Sequence, residues 1–434
     1  MTTHPCSIWL SLFLLCIAPL AASAADSPAR QYLAAATKAC GDVERRLPEI
    51  TRVAEVVADR YLAGGFLGFP RVAWYVGHGL EEELCGRSGQ IVHIGFDRGW
   101  KPDADRTDVE RKNDVVIAGW RKDPHPEDID LLKQHKARGG YLIGFGPGGL
   151  PALAEHVKVC DAWFDTGLGT DDRVVAMPDG SRAGRLNTLS NVVTAWALMG
   201  ETIAACTRRG KMPIVAKSFC YEDGREWWDR YFQKMPFHED FQIAPIPAGQ
   251  MGKAYVRCVR DLVHKFERTQ LDAVDKTAGL IVKELGDGRK TLVVAAGHLP
   301  WAYAAKDEAV AWAIAPATGL QHDLPGKVEI YNRDTPDGAL VLRLGYAGHH
   351  KADHDILRKK KQRVMLITSE DPRPEFQLPD DLLTIIDMGF AFGDACVAIE
   401  GYLIRALPPS GVTQIVAYEA VNVEVLSRIA GLGQ

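Results

Sequence analysis

Apolar positions along the chain follow two periods in alternation. In "ITRVAEVVADRYLAGG", Ile50, Val53, Ala54, Val57 and Leu62 recur at three- and four-residue steps, the spacing of one helix face. In "LDAVDKTAGLIVKELGDG", Val274, Ala278, Ile281, Val282 and Leu285 do the same. Both predicted helices end at glycine, Gly64-Gly65 and Gly286/Gly288, where a left-handed cap is needed. Each is followed by a short β-rich apolar run, residues 72–76 and 291–295. Each run then stops at a Gly-His pair, Gly77-His78 and Gly297-His298.

The order continues after both pairs. "NDVVIAGWRKDPHPEDIDLLKQHKARGGYLIGFGP" and "DGALVLRLGYAGHHKADHDILRKKKQRVMLITSED" each read as strand, loop, helix, strand. "VCDAWFDTGLG" and "LLTIIDMGFAFG" are strands that contain an Asp and close on Gly. Each half then ends with a long apolar helix, a breaker and a short strand, in "LSNVVTAWALMGETIAACTRRGKMPIVAKS" and "GDACVAIEGYLIRALPPSGVTQIVAYEA". Matched blocks in the same order predict a duplication, with a first unit over residues 33–262 and a second over 263–434. Strands as continuously apolar as "VVIA", "LVVAA" and "VMLIT" belong to a parallel sheet covered on both faces. The expected fold is therefore α/β, two similar doubly wound parallel-sheet sandwiches in tandem. Ligands in such sheets bind beyond the carboxyl ends of the strands, where the Gly-His turns fall.

The ends and the composition add limits. From Ile8 to Ala22 the chain is apolar, and Ala22-Ser23-Ala24 has the small-x-small pattern of a cleavage site. Residues 1–24 are expected to be a signal peptide, giving an exported protein, periplasmic or secreted, with no membrane span afterwards. The 434 residues carry 47% hydrophobic and 25% charged residues and a net charge of −5, which excludes a nucleic-acid binder as a whole. The basic run at residues 358–363 reads as the solvated end of a helix. Of nine cysteines, Cys6 and Cys16 leave with the signal, and the odd remainder has no CxxC pair, so no disulfide scaffold or clustered zinc site is expected.

The two halves, each opening with a helix, a Gly-Gly or Gly-x-Gly cap and a strand that ends in "GHG" or "GHL", resemble the sugar isomerase (SIS) domain family. The resemblance covers nearly the whole mature chain as a tandem pair, as in the isomerase half of glucosamine-6-phosphate synthase. It implies binding of a sugar or sugar derivative at strand ends, often between subunits, hence a homodimer. It also implies aldose–ketose isomerisation in some members and sensing without catalysis in others, with no cofactor. The family's phosphate loop is a Ser/Thr-rich S-x-S-G-x-T segment, whereas this chain has "VVIAGWRKDPHPED" and "LVLRLGYAGHHKADHD" in its place. Arg121, Lys122 and His125, or His349, His350 and Lys351, supply positive charge there instead of hydroxyls.

Isomerisation needs a base that moves a proton between neighbouring carbons. Glu308 in half two and Glu82 in half one, on the helices after the Gly-His turns, are the candidates; Glu81, Glu82 and Glu83 equally complement a helix dipole. Gly77, His78, Gly297 and His298 are candidate ligand contacts at the turns, and Ser190 and Asn191 are either a helix cap or a contact beyond the Asp165 strand. His350 and His354, at i and i+4 with Asp353 or Asp355 nearby, have metal-ligand spacing, but no third remote ligand accompanies them and no metal is expected. The glycines of residues 144–149, with Asp161 and Asp165 downstream, superficially fit a dinucleotide loop and keep an NAD-dependent oxidoreductase as the alternative. Trp227, Trp228, Tyr231 and Phe232 form an aromatic cluster, read as packing or as a sugar-stacking platform.

Overall fold

The structure is a computed structural model that describes residues 27–69, 80–95, 105–120, 124, 127–169, 171–232, 234–239, 242–295, 311–314 and 335–432. Half one runs α1 (Pro28–Arg45), α2 (Leu47–Leu62), β1 (Leu67–Gly68), α3 (Leu80–Leu84), β2 (Ile94–Gly95), α4 (Asp108–Lys112), β3 (Val115–Gly119), α5 (Asp128–Ala137), β4 (Tyr141–Gly146), α6 (Ala154–Val159) and β5 (Ala162–Asp165). A hairpin, β6 (Arg173–Ala176) and β7 (Arg182–Arg185), leads into α7 (Asn187–Arg208), and α8 (Gly224–Tyr231) lies in the connection. Half two runs α9 (Gln250–Thr269), α10 (Leu271–Gly286), β8 (Thr291–Ala295), β9 (Ala313–Ile314), β10 (Leu340–Leu344), α11 (Lys351–Lys359), β11 (Arg363–Thr368), β12 (Thr384–Asp387) and α12 (Ser410–Leu432).

Among the described residues each half holds a five-stranded sheet, in the order β2-β1-β3-β4-β5 and β9-β8-β10-β11-β12. All pairings within these two sheets are parallel. The two orders are the same order, so the duplication holds at the level of topology. Matching elements keep nearly constant spacing: β1 to β8 is 224 residues (291 − 67), β4 to β11 is 222 (363 − 141), and α7 to α12 is 223 (410 − 187). The two Gly-His pairs stand 220 apart (297 − 77) and so are out of step with the strands beside them. The strand expected at residues 72–76 has its described counterpart earlier, at Leu67–Gly68; residues 72–76 lie outside the described residues.

Strand parity explains the layers. In β3 and β4, Val115, Ile117, Ile143 and Phe145 face inward, while Val116, Ala118 and Leu142 face outward onto Leu132 of α5 and Leu153. In half two, Leu340, Leu342, Met365 and Ile367 face inward, and Val341 and Val364 face outward onto Leu357 of α11. Both inward faces share one hydrophobic core with the long helices α1, α2, α7, α9, α10 and α12, which lie between the sheets. Burial on both faces is why these strands read as unbroken apolar runs.

The helical layer is exchanged between halves. α2 packs on α7 and α10 packs on α12, each within its own half. α1, however, packs on α12 of half two, and α9 packs on α7 of half one. α1 and α9 run antiparallel against each other, tied by Arg30–Glu267 at 3.0 Å and Arg260–Glu44 at 2.7 Å. The boundary expected between residues 262 and 263 falls inside α9. The 22-residue α7 is the one helix, among the described residues, long and apolar enough to cross a membrane, and its apolar stretch is wholly buried. The signal-like segment lies outside the described residues.

Candidate functional site

The carboxyl ends of the strands are built alike in both halves. Asp165 ends β5 and accepts the amide of Gly167 at 2.9 Å; Asp387 ends β12 and accepts the amide of Gly389 at 2.7 Å. Both glycines take positive φ, 68° and 70°, so the Asp-x-Gly turn requires glycine. The α1–α2 joint reaches the first turn through Arg46, which bonds the Asp165 carbonyl, and the α9–α10 joint reaches the second through Gln270, whose side chain accepts the Asp387 amide at 2.9 Å. A buried aspartate then meets the last helix of each half. Asp172 accepts from the Asn187 amide at the start of α7 at 3.2 Å, and Asp394 accepts from the Ser410 amide at the start of α12 at 3.0 Å.

The aspartates differ in the cation they face. Asp172 takes Arg185 from its own half, at 2.8 Å. Asp394 takes Arg87 from the other half, at 3.9 Å, and the Ser410 hydroxyl donates to it at 2.7 Å. Arg87 also bonds the Ser410 hydroxyl oxygen and lies 3.4 Å from Glu83. Glu83 accepts from the Trp196 indole at 3.1 Å, and its carboxylate sits against the backbone of Gly411. Glu83, Arg87 and Asp394 are all under 5% exposed, a charge cluster buried where the halves meet. Burial is the main influence on Asp394 and pushes its pKa up to about 6, while Arg87 and the Ser410 bonds pull the other way.

The turn after β10 carries the second cluster. His349 Nε2 lies 3.0 Å from His354 Nδ1, and His354 Nε2 lies 2.7 Å from Asp381. Burial, followed by the nearby Arg343, pushes the His349 pKa down to about 2. His350 does not join His354: it caps α11, its Nδ1 accepting the Ala352 amide at 3.1 Å. Among the described residues no three His, Cys, Asp or Glu side chains are grouped to hold a metal ion. Gln414 of α12 donates to the Gly345 carbonyl of the same turn, and Thr368, at the end of β11, donates to the Gly348 carbonyl at 2.8 Å.

In half one Trp120 stands where half two has Gly345, each amide donating to the neighbouring strand, to the Phe145 and the Ile367 carbonyl. Trp120, just past β3, is 2% exposed, stacks on Trp163 with centroids 5.4 Å apart, and donates to Asp128 at 3.1 Å. Asn191 reaches this strand end, donating to the Trp120 carbonyl at 3.2 Å. Ser190 and Asn191 lie within α7 rather than capping it, since the helix starts at Asn187 with no side-chain cap. Two glycines of the suggested dinucleotide loop are packing glycines: a Cβ on Gly144 would meet Trp163 at 2.3 Å, and one on Gly146 the Trp120 carbonyl oxygen at 2.6 Å, whereas one on Gly149 would meet nothing within 4 Å. Asp161 and Asp165 are likewise engaged by the amides of Leu142 and Gly148. Trp227 donates to the Val215 carbonyl at 3.0 Å and packs edge-on against Tyr231, which is buried.

Several sequence candidates cannot be placed. Gly77, His78, Gly297, His298, Arg121, Lys122, His125 and Glu308 lie outside the described residues, as does the Glu82 side chain. Sequence reasoning passed over Asp394 and Arg87, whose proximity depends on the halves crossing. It named Glu83 only within a run of three glutamates; the available signal was Glu83 and Arg87 at i and i+4.

No protein-family model matches the chain. No curated protein sequence matches it either. Solved structures do. The C-terminal domain of glucosamine-fructose-6-phosphate aminotransferase from Francisella tularensis superposes with a TM-score of 0.51 at 9% identity, over 94% of this chain and 97% of that one. A protein described as a phosphosugar isomerase from Clostridium difficile 630 superposes with a TM-score of 0.51 at 8% identity, over 93% and 94% of the two chains. At such identities the likeness concerns the fold, and the fold is that of two SIS-like sandwiches in tandem.

Proposed function

We propose that the chain binds a sugar or sugar derivative at the strand ends of its second half, as an exported SIS-like protein. The observation that carries this reading is the buried polar cluster beside α12, where Glu83 and Arg87 of half one meet Asp394 and Ser410 of half two, with His349 in the turn after β10. Strand carboxyl ends are where doubly wound sheets take ligands. The names of the two structural neighbours, one acting on fructose 6-phosphate and one on phosphosugars, support the ligand class. A thermal-shift panel of fructose, fructose 6-phosphate and NAD tests it. Stabilisation by a sugar or its ester supports the reading, and stabilisation by NAD alone overturns it in favour of an oxidoreductase.

Aldose–ketose isomerisation is the second reading, favoured by Asp394. A carboxyl group with a pKa near 6 exchanges a proton close to neutrality, as a general acid–base must. Turnover lost in Asp394→Asn with sugar binding retained would support catalysis; binding without turnover in the native protein would favour a sensor.

A further inference from the structure

Asp381, His354 and His349 form one hydrogen-bonded line from the surface into the turn after β10. Arg358 holds the second oxygen of the Asp381 carboxylate at 2.7 Å, and the Asp381 side chain is 46% exposed. His354 and His349 are 3% and 1% exposed. The far end of the line, His349 Nδ1, is buried without a hydrogen-bond partner.

The proton positions follow from the order of the groups. An ionised carboxylate only accepts, so His354 carries its proton on Nε2 and presents a bare Nδ1. His349 must then donate through Nε2, which leaves its Nδ1 with a lone pair. The ring stays neutral, because burial, Arg343, His354 and His350 all oppose its protonation and only Asp381 favours it. On the other side of the same turn, Gln414 Oε1 is also buried without a partner. Two acceptors thus flank residues 345–349 where the resembled family places donors. Arg343 Nε is an unpartnered donor within β10, but that guanidinium is held by Asp353 at 2.6 Å.

We propose that His349 Nδ1, oriented by His354 and Asp381, accepts a hydrogen bond from a hydroxyl of an uncharged polyol, so that this site selects a free sugar over its phosphate ester. The proposal rests on the reading that the second-half strand ends take a sugar. A phosphate dianion offers only acceptor oxygens, so an ester that sets its phosphate against Nδ1 puts lone pair against lone pair. The hydroxyl that the free sugar carries at the esterified position supplies the missing proton there, and a buried acceptor left without a donor weakens binding of the ester. His349 is the recognition residue; His354 and Asp381 are positioning residues that act through it.

Two measurements on the full chain test this. In ligand-free protein labelled with 15N-histidine at pH 7, His349 (identified by its loss in His349→Asn) should carry its proton on Nε2. A proton on Nδ1 overturns the proposal. In calorimetric titrations, fructose should bind at least about tenfold more tightly than fructose 6-phosphate. Asp381→Asn, whose carboxamide can donate to His354 and reverse both tautomers, should bring that ratio close to one, while Asp381→Glu should preserve it. An ester that binds as well as the free sugar to the native protein overturns this inference and leaves the sugar-binding reading standing. Binding of neither overturns both.

Discussion

Glu201 on α7 and Glu424 on α12 stand 223 residues apart (424 − 201) and do the same job for the opposite half. Glu201 accepts the amides of Gly249 and Gly252, both at 2.7 Å, where α9 begins; Glu424 accepts the amide of Ala29 at 3.0 Å, where α1 begins. A carboxylate at a helix N-terminus satisfies orphan amides and complements the dipole. Replacing Glu201 with Ala should cost about 2–3 kcal/mol, and Glu424→Ala about half that, because one amide rather than two loses its partner. Urea unfolding of the two variants checks the ranking.

Gly411 and Gly431 lie in the same helix, α12, and should respond to Ala with opposite signs. A helical Gly→Ala change ordinarily stabilises by up to about 1 kcal/mol. A Cβ on Gly431 would meet nothing within 4 Å, so a few tenths of that gain are expected near the frayed end. A Cβ on Gly411 would lie 2.0 Å from the Glu83 carboxylate, so Gly411→Ala should destabilise by about 1–3 kcal/mol. Thermal melting of both variants distinguishes the sites.

Asp394 sets a slope in stability against pH. Its carboxyl titrates at about 6 in the fold, against 3.8 for the free group. Between those values the unfolded chain has released a proton that the folded chain still holds, so Asp394 lowers stability as pH rises from about 4 to about 6 and adds no further change above that. The rise corresponds to about 3 kcal/mol, to order of magnitude. The native protein should therefore lose stability relative to Asp394→Asn across this window, measured as the difference between their urea midpoints. An unchanged difference would mean that the group is not held protonated.

Trp120→Ala should cost about 3–5 kcal/mol, the usual range for emptying a buried indole site, and it removes the indole hydrogen bond to the Asp128 carboxylate. If half one holds no sugar, the sugar affinity of the variant should stay within about twofold of native. Calorimetry alongside denaturation separates the two effects.

The fold was largely legible because the strands are buried on both faces and the helices α2 and α10 on one, so composition and period follow directly from packing. The last block of half two is the exception: the helix begins at Ser410, after the prolines, where a strand was expected, because α12 is apolar all round and carries no one-faced period. β1 was not: two residues, Leu67 and Gly68, are too few to carry any period, and the longer run at residues 72–76 drew the eye instead. The site was legible only in part. His349 could be named from its turn, but its partner is His354 across the start of α11, a spacing of five that no simple helical face predicts. Asp394 and Arg87 are separated by 307 residues (394 − 87) and meet only because the halves cross, which local pattern cannot express.

The exchange of first helices has a historical consequence. Two identical single-unit chains, each lending its leading helix to the other about a two-fold axis, would make the same helical layer that one continuous polypeptide makes here. Once joined, the copies no longer had to mutate together, and each strand end could take its own side chains. Severed near residue 240, the pieces should be unable to fold alone yet able to reassemble when mixed.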